Sequence, residues 1–358
     1  MTPMAPSAKL RRLTTPDHLV ESGLAAPGRL GELESVADRY AIGLTPALAA
    51  LIDTGDPADP IARQFIPDSR ELIRHPAERD DPIGDDAKSP FRGLVHRYPD
   101  RVLIKLVSVC AVYCRFCFRR ERIGPGSASL SETELLAALD YVRARPAIWE
   151  VILTGGDPLT LSSRRLVRAA AAIAAIEHVR ILRWHTRLPV AAPGLVTRDL
   201  ARALRPEGKT AVVAVHANHP RELTSEARSA CRRLAEEGIM LVSQSVLLRG
   251  VNDDVNTLEA LMRAFVETRI KPYYLHHADL APGTGHWSVP IPRGQELMRL
   301  LRARLSGLAM PVYVLDIPGG AGKVPIGPQS IGPDGSGGYV VLDPEGRAHL
   351  YRDRVPEA

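Results

Sequence analysis

The sequence predicts an α/β fold in which a parallel sheet closes into a full or partial (β/α) barrel, and three observations predict it. From about residue 100 onward, short aliphatic runs alternate with longer Ala-, Leu- and Arg-rich segments of helical period. Repeated strand–helix units of this kind build a parallel sheet covered by helices. Residues with chemical use also stand at or just past the ends of successive runs. A barrel gathers all such ends at one rim, whereas an open sheet brings only some of them together at its crevice.

Residues 1–90 read as an arm of short helices broken by Pro, Gly and Asp, in which SVADRYAIGLTPALAALID (35–53) is helix-like and the acidic loop DDPIGDDAKSP closes the region. Seven runs follow: VLIKLVSV (102–109), EVILT (150–154), RILRWHT (180–186), AVVAVH (211–216), IMLVSQSVL (239–247), KPYYLH (271–276) and PVYVLD (311–316). Between them SETELLAALDYVRA and SEARSACRRLAEEG carry a helical period. The run ends bear Cys110, the stretch Thr154 to Asp157, His185, His216 with Asn218, Gln244 with Ser245, His276 and Asp316. The tail GGYVVLDPEGRAHLYRD reads as a hairpin around Asp343-Pro344-Glu345-Gly346. The organisation expected is an arm over 1–90, a barrel over 91–325 and an extension over 326–358.

At 358 residues, 45% apolar and 24% charged, the chain can bury a large core, and wholesale disorder is excluded. The first thirty residues lack the apolar run of a secretory leader, and the longest small-apolar run, Ala169 to Ile176, is too short to span a bilayer. The expectation is a cytoplasmic protein with no membrane partner, whose thiols stay reduced. The net charge of +5 is spread along the chain without a basic block, which argues against nucleic acid as a partner. Only six of the 46 basic residues are lysines, so a lysine in an unusual context stands out.

The stretch CAVYCRFCFRR (110–120) holds three of the four cysteines as Cys-x3-Cys-x2-Cys, and Cys231 lies far away in a predicted helix. A structural zinc site wants four ligands, usually as two pairs, and no second pair exists; zinc with a distant histidine such as His216 or His286 is the alternative. Three thiolates on a tight loop instead suit a [4Fe-4S] cluster whose fourth iron stays open to chelate S-adenosylmethionine. This spacing is the signature of radical S-adenosylmethionine enzymes. Gly155-Gly156-Asp157 after the second run adds glycines that let backbone approach a ligand and a carboxylate that can accept from an ammonium.

Near the other end Gly319, Gly320 and Gly322 surround Lys323 in IPGGAGKVPIG. A Walker phosphate loop is ruled out, because Ile317 stands where its first Gly belongs and Val324 replaces the Ser or Thr. The open readings are a surface lysine and an amine that captures a carbonyl cofactor. The histidines of 276–277, 286, 216 and 219 read as rim residues contacting cofactors rather than as a metal site.

Taken together these residues resemble the lysine 2,3-aminomutase family over about residues 35–345, through GLVHRYPDRVL, CAVYCRFCFRR, LTGGDPL, VHANHPRE, SQSVLLRGVND, YYLHHADLAPGTGH and VLDIPGGAGKVP. The resemblance implies a partial (β/α)6-type TIM-like barrel with an N-terminal helical arm and a C-terminal β-hairpin extension. It implies an isomerase that moves the α-amino group of L-lysine to the β-carbon with a [4Fe-4S] cluster, S-adenosylmethionine and pyridoxal 5'-phosphate. Cys110, Cys114 and Cys117 match the cluster ligands; Gly155, Gly156, Asp157, His216 and Gln244 match the S-adenosylmethionine contacts; Lys323 and Arg101 match the pyridoxal phosphate residues. Arg119 matches the group at the substrate carboxylate, and Asp279 and Asp316 match the acids at the distal ammonium. An electron donor such as flavodoxin or ferredoxin and a homo-oligomer are implied as well. No cysteine follows Cys231, and Asp254 stands where longer members carry a zinc ligand, so zinc is not expected. The alternatives are a mutase for another amino acid, supply of β-lysine for elongation factor P, or a non-catalytic iron–sulfur protein; the glycine-rich lysine loop leans toward the free amino acid mutases.

Overall fold

The computed structural model describes residues 12–353. Nine strands form one sheet in chain order: β1 (Leu94–Tyr98), β2 (Arg101–Val107), β3 (Glu150–Gly155), β4 (Ile181–Thr186), β5 (Thr210–His216), β6 (Met240–Val246), β7 (Lys271–His276), β8 (Val312–Ile317) and β9 (Gly322–Pro325). β2 through β8 run parallel, matching the seven aliphatic runs, and β1 and β9 flank them antiparallel. The expected partial barrel is what forms, with one parallel strand beyond the six of the (β/α)6 type. No ladder joins β9 to β1. Side chains cross that seam instead: the Lys323 N–H donates to the Tyr98 hydroxyl at 2.8 Å, and Arg97 on β1 reaches Asp316 on β8 at 3.3 Å.

The outward strand residues and the helices share one core, with Ile104, Leu153, Trp184 and Val213 packed against Leu139, Leu166, Leu234 and Leu261. The helices start where the sequence offers caps. Ser131 and Glu134 form a capping box for Glu132–Arg143, Thr224 caps Ser225–Glu236, and Asp254 accepts from two backbone N–H groups at the start of Val255–Glu267. Inside the barrel, Val212, Ala214 and Val242 form an apolar plug near the strands' N-terminal ends. Strand alternation then points every second residue inward, so that Thr154, Arg183, His185, His216 and Gln244 face the interior above the plug.

The arm before β1 has its own small core of Leu19, Leu33, Leu44, Leu48, Ile61 and Phe65, which closes on Val112 of the cysteine loop and Ala191 beyond β4. The helix-like stretch 35–53 is broken: one helix ends at Ala37, and the next, Pro46–Ala49, starts from the Thr45 cap. Between the two helices lies Gly43, where a Cβ would lie 2.7 Å from the Tyr113 ring. At the far end β10 (Ile331–Pro333), β11 (Tyr339–Leu342) and β12 (Ala348–Tyr351) make an antiparallel sheet. The last two strands are the expected hairpin, turned by Gly346 N–H donating to Asp343 C=O at 2.9 Å, and β10 adds a third strand. Among the described residues no helix is long and apolar enough to cross a membrane.

Candidate active site

A cavity of about 330 Å³ opens at the C-terminal ends of the parallel strands. All thirteen site residues expected from the sequence line it: Arg101, Cys110, Cys114, Cys117, Arg119, Gly155, Gly156, Asp157, His216, Gln244, Asp279, Asp316 and Lys323. Of the other histidines singled out, His185 and His276 join them. The remaining three correct the expectation of rim contacts. His277 bonds the Tyr313 hydroxyl at 2.8 Å, His219 caps a short helix, and His286 stacks on Trp287 with ring centroids 3.6 Å apart.

The arm holds the cysteine loop by its backbone. Tyr113 N–H donates to Gly43 C=O at 2.9 Å and Arg115 N–H to Gln64 C=O at 2.9 Å, while the Arg12 guanidinium donates to Cys110 C=O at 2.9 Å. The arginines beside the last two cysteines are anchored too. Arg115 pairs with fully buried Glu71 at 2.6 Å, and Arg120 pairs with the same carboxylate. Burial raises the pKa of all three thiols, that of Cys117 to about 11, so iron binding there must displace their protons. Arg187 counters this at Cys114, donating to its Sγ at 2.9 Å.

The Gly-Gly-Asp turn works differently from the sequence reading. A Cβ on Gly155 would lie 2.3 Å from Val107 O, and one on Gly156 would lie 2.2 Å from Val109 O. The glycines therefore let the end of β3 press against the backbone leading into Cys110. The Asp157 carboxylate is no free acceptor: it takes hydrogen bonds from the Thr186 hydroxyl at 2.8 Å, Arg187 N–H at 2.8 Å and Leu159 N–H at 3.0 Å. Burial raises its pKa against those donors, and the group acts as a latch between the turn after β3 and the end of β4.

Across the cavity, Lys323 pairs with Asp316 and stands 3.4 Å from His276 Nδ1. Burial would raise Asp316, but His276, whose Nδ1 lies 3.6 Å away, and the Lys323 charge hold it well below the usual carboxylate range. Burial and the Lys323 charge lower the pKa of His276, which stays neutral. Asp279 contrasts with Asp316. Its carboxylate has no hydrogen-bond partner among the described residues, and burial, with the Asp316 charge, pushes its pKa up to about 7. Arg119 faces the same space, held by Asp85 at 2.8 Å. Asp85 also reaches Arg97 at 3.4 Å, which links it to Asp316. Arg101 stacks on the Tyr98 ring, 3.7 Å from its centroid.

The residues present suit large polar cofactors. His185 Nε2 and His216 Nε2 are buried in the cavity wall without a partner among the described residues, and burial lowers both pKa values far enough to keep the rings neutral. Among the described residues no three His, Cys, Asp or Glu groups are arranged around a single metal ion. The three cysteines line the cavity wall together, where a cluster would take one thiolate from each. Asp85, Arg97, Tyr98 and Arg187 line the cavity without having been assigned from the sequence. Arg97 and Tyr98 belong to the HRYPDRV segment that carries the family resemblance, a usable signal; Asp85 was hidden among the acids of its loop.

A parallel partial barrel whose first parallel strand runs into three thiols at the cavity mouth defines a radical S-adenosylmethionine enzyme, and the profile of the Radical SAM superfamily matches residues 104–261. The chain is 38% identical over 314 residues to L-lysine 2,3-aminomutase of Clostridium subterminale, covering 88% of this chain and 75% of that one. It is 38% identical over 294 residues to the L-lysine 2,3-aminomutase of Acetoanaerobium sticklandii, covering 82% and 71%. Over 310 residues it is 35% identical to glutamate 2,3-aminomutase of Clostridioides difficile, covering 87% and 73%. The chain belongs to the lysine 2,3-aminomutase family, and is thus an isomerase that works with a [4Fe-4S] cluster and S-adenosylmethionine.

Proposed function

We propose that the chain interconverts L-lysine and β-lysine, with Arg119 at the substrate carboxylate and Asp279 and Asp316 at its distal ammonium. The observation that carries the choice of substrate is Asp279, an unpartnered carboxylate in the cavity wall beside a second, ionised one. A cationic side chain relieves that repulsion, whereas the side-chain carboxylate of glutamate would add a third negative charge.

Cys110, Cys114 and Cys117 would hold the cluster, Gly155, Gly156, His216 and Gln244 would meet S-adenosylmethionine, and Lys323 with Arg101 would hold pyridoxal phosphate. When bound, the cluster and S-adenosylmethionine supply the hydrogen-abstracting radical, and pyridoxal phosphate supplies the conjugation through which a saturated amine migrates. His276 Nδ1, 3.4 Å from Lys323 Nζ, is placed to accept a hydrogen bond from that amine and orient it. Asp316, which pairs with Lys323, also lines the cavity and would offer the substrate ammonium a second carboxylate. Arg119 offers a planar fork that fixes the carboxylate and, through it, which carbon faces the radical. The Asp157 latch and the arm keep the cysteine loop and the turn after β3 in register.

The same reading places the enzyme in the cytoplasm, where clustered thiols stay reduced, with a flavodoxin or ferredoxin as electron donor. It also makes the enzyme a homo-oligomer, a view supported by the exposed Ile331, Leu342, Leu350 and Tyr351 of the C-terminal sheet. The test is anaerobic reconstitution with all three cofactors and dithionite, followed by L-lysine and L-glutamate in parallel. β-Lysine from lysine alone supports the assignment; β-glutamate from glutamate with nothing from lysine overturns it.

A further inference from the structure

Beside the active cavity lies a second one of about 440 Å³, and the two share Asp85, Arg119, Ile123 and Gly155 in their walls. Four basic side chains line the second cavity, Arg92, Lys105, Arg119 and Arg122. Three have partners: Arg92 pairs with Glu134, Arg122 with Asp86 at 2.6 Å, and Arg119 with Asp85 at 2.8 Å. Among the described residues Lys105 has none within hydrogen-bond reach. Its Nζ is 3.9 Å from Asp85, whose carboxylate already accepts from Arg119 and Arg97, and its side chain is 21% exposed. Four cations therefore face three carboxylates, and the surplus charge sits on Lys105. The rest of the wall includes Phe91, Val107, Ile123 and Leu130, an apolar surface fit for an aliphatic chain.

We propose that this second cavity docks the carboxylate of the amino-acid substrate on its way to the active cavity, with Lys105 as the docking cation and the Asp85–Arg119 pair as the partition that the carboxylate opens. The inference rests on the functional reading above, in which Arg119 receives that carboxylate. Asp85 occupies Arg119 with the same chemical group the substrate brings, so the exchange replaces one carboxylate by another at the guanidinium. Asp85 is not stranded when displaced. Arg97 at 3.4 Å and Lys105 at 3.9 Å remain beside it, so Lys105 first meets the incoming anion and then takes up Asp85. The neighbouring inward residue on β2, Leu103, is apolar, and burial lowers the pKa of Lys105.

The experiment uses the cofactor-loaded enzyme and two neutral variants, K105M and K105Q, with K105R as the conservative replacement. L-Lysine binding is followed by the absorbance of bound pyridoxal phosphate, and KM and kcat are measured alongside. Loss of the cation weakens binding and raises KM about tenfold in both neutral variants, the loss of one charge-assisted contact, while kcat falls less than about twofold. K105R stays within about threefold of wild type, and added salt weakens lysine binding more in wild type than in the neutral variants. Wild-type KM in both neutral variants overturns the docking role, and so does a K105R as impaired as K105M, which would make Lys105 a packing residue. A loaded wild type that binds no amino acid overturns the functional reading, and this inference with it.

Discussion

Replacing Asp279 by Asn separates the two acids of the cavity by pH. In the folded chain Asp279 keeps its proton up to about pH 7, whereas an unfolded aspartate releases it near pH 4. Between those values the folded state binds more protons than the unfolded one, so stability falls as pH rises across the window. At ~1.4 kcal/mol per pH unit the full cost of ionising Asp279 is ~4 kcal/mol, reached above pH 7. Asp279→Asn carries no such proton. Its stability relative to wild type therefore increases by about 3 kcal/mol between pH 5 and pH 8, a relative Tm gain of roughly 4 °C for a chain of this size. Binding runs the opposite way. The lysine ammonium needs the ionised carboxylate, so the wild-type KM for lysine falls toward tenfold per pH unit below about pH 7 and levels off above it. The variant loses that step, and at pH 8 its KM is about 10- to 100-fold higher, the worth of a hydrogen bond to a charged group. Calorimetry at the two pH values and KM at several pH values check both arms. A variant that keeps the wild-type pH step, or a Tm difference that does not move with pH, would refute the reasoning.

Glu71→Ala leaves Arg115 and Arg120 buried without their counter-charge and costs about 3–5 kcal/mol, seen as a Tm drop of roughly 5 °C and lower iron content after reconstitution. Gly156→Ala drives a methyl group into Val109 O, so the end of β3 cannot close on the cysteine loop; cluster absorbance near the charge-transfer band is lost before activity toward any substrate is considered. Arg119→Lys keeps the charge but not the fork, raising KM for lysine about tenfold with bound pyridoxal phosphate unchanged. Lys323→Ala abolishes the absorbance of the lysine-held cofactor while leaving S-adenosylmethionine cleavage measurable.

The strands and the cavity were legible because both depend on local pattern. Aliphatic runs mark strands that helices cover, and a polar residue at each run's end marks the rim. The three thiols were legible by spacing alone, in a chain with one other cysteine. What escaped depends on pairing across distance. Asp85 lies in a loop with Asp80, Asp81 and Asp86, and its burial against Arg119, 34 positions away, and Arg97 sets it apart. The role of Gly155 and Gly156 needs the register that places Val107 and Val109 against them. Asp157 had the composition of a ligand contact, but Thr186 and the Arg187 backbone, brought close by the pairing of β3 with β4, consume its oxygens. The contact of Tyr113 with Gly43, inside the broken stretch 35–53, likewise joins residues 70 positions apart.

The central claim is that an amino group moves between adjacent carbons of lysine within this cavity. It is tested most directly by NMR on the anaerobically reconstituted enzyme given L-lysine labelled with 15N at the α-amine and 13C at C2 and C3. The 15N–13C coupling should leave C2 and appear at C3 in the product, with no dilution by unlabelled ammonia. Coupling that stays at C2 while S-adenosylmethionine is cleaved, or a product that has lost its label, would contradict the account.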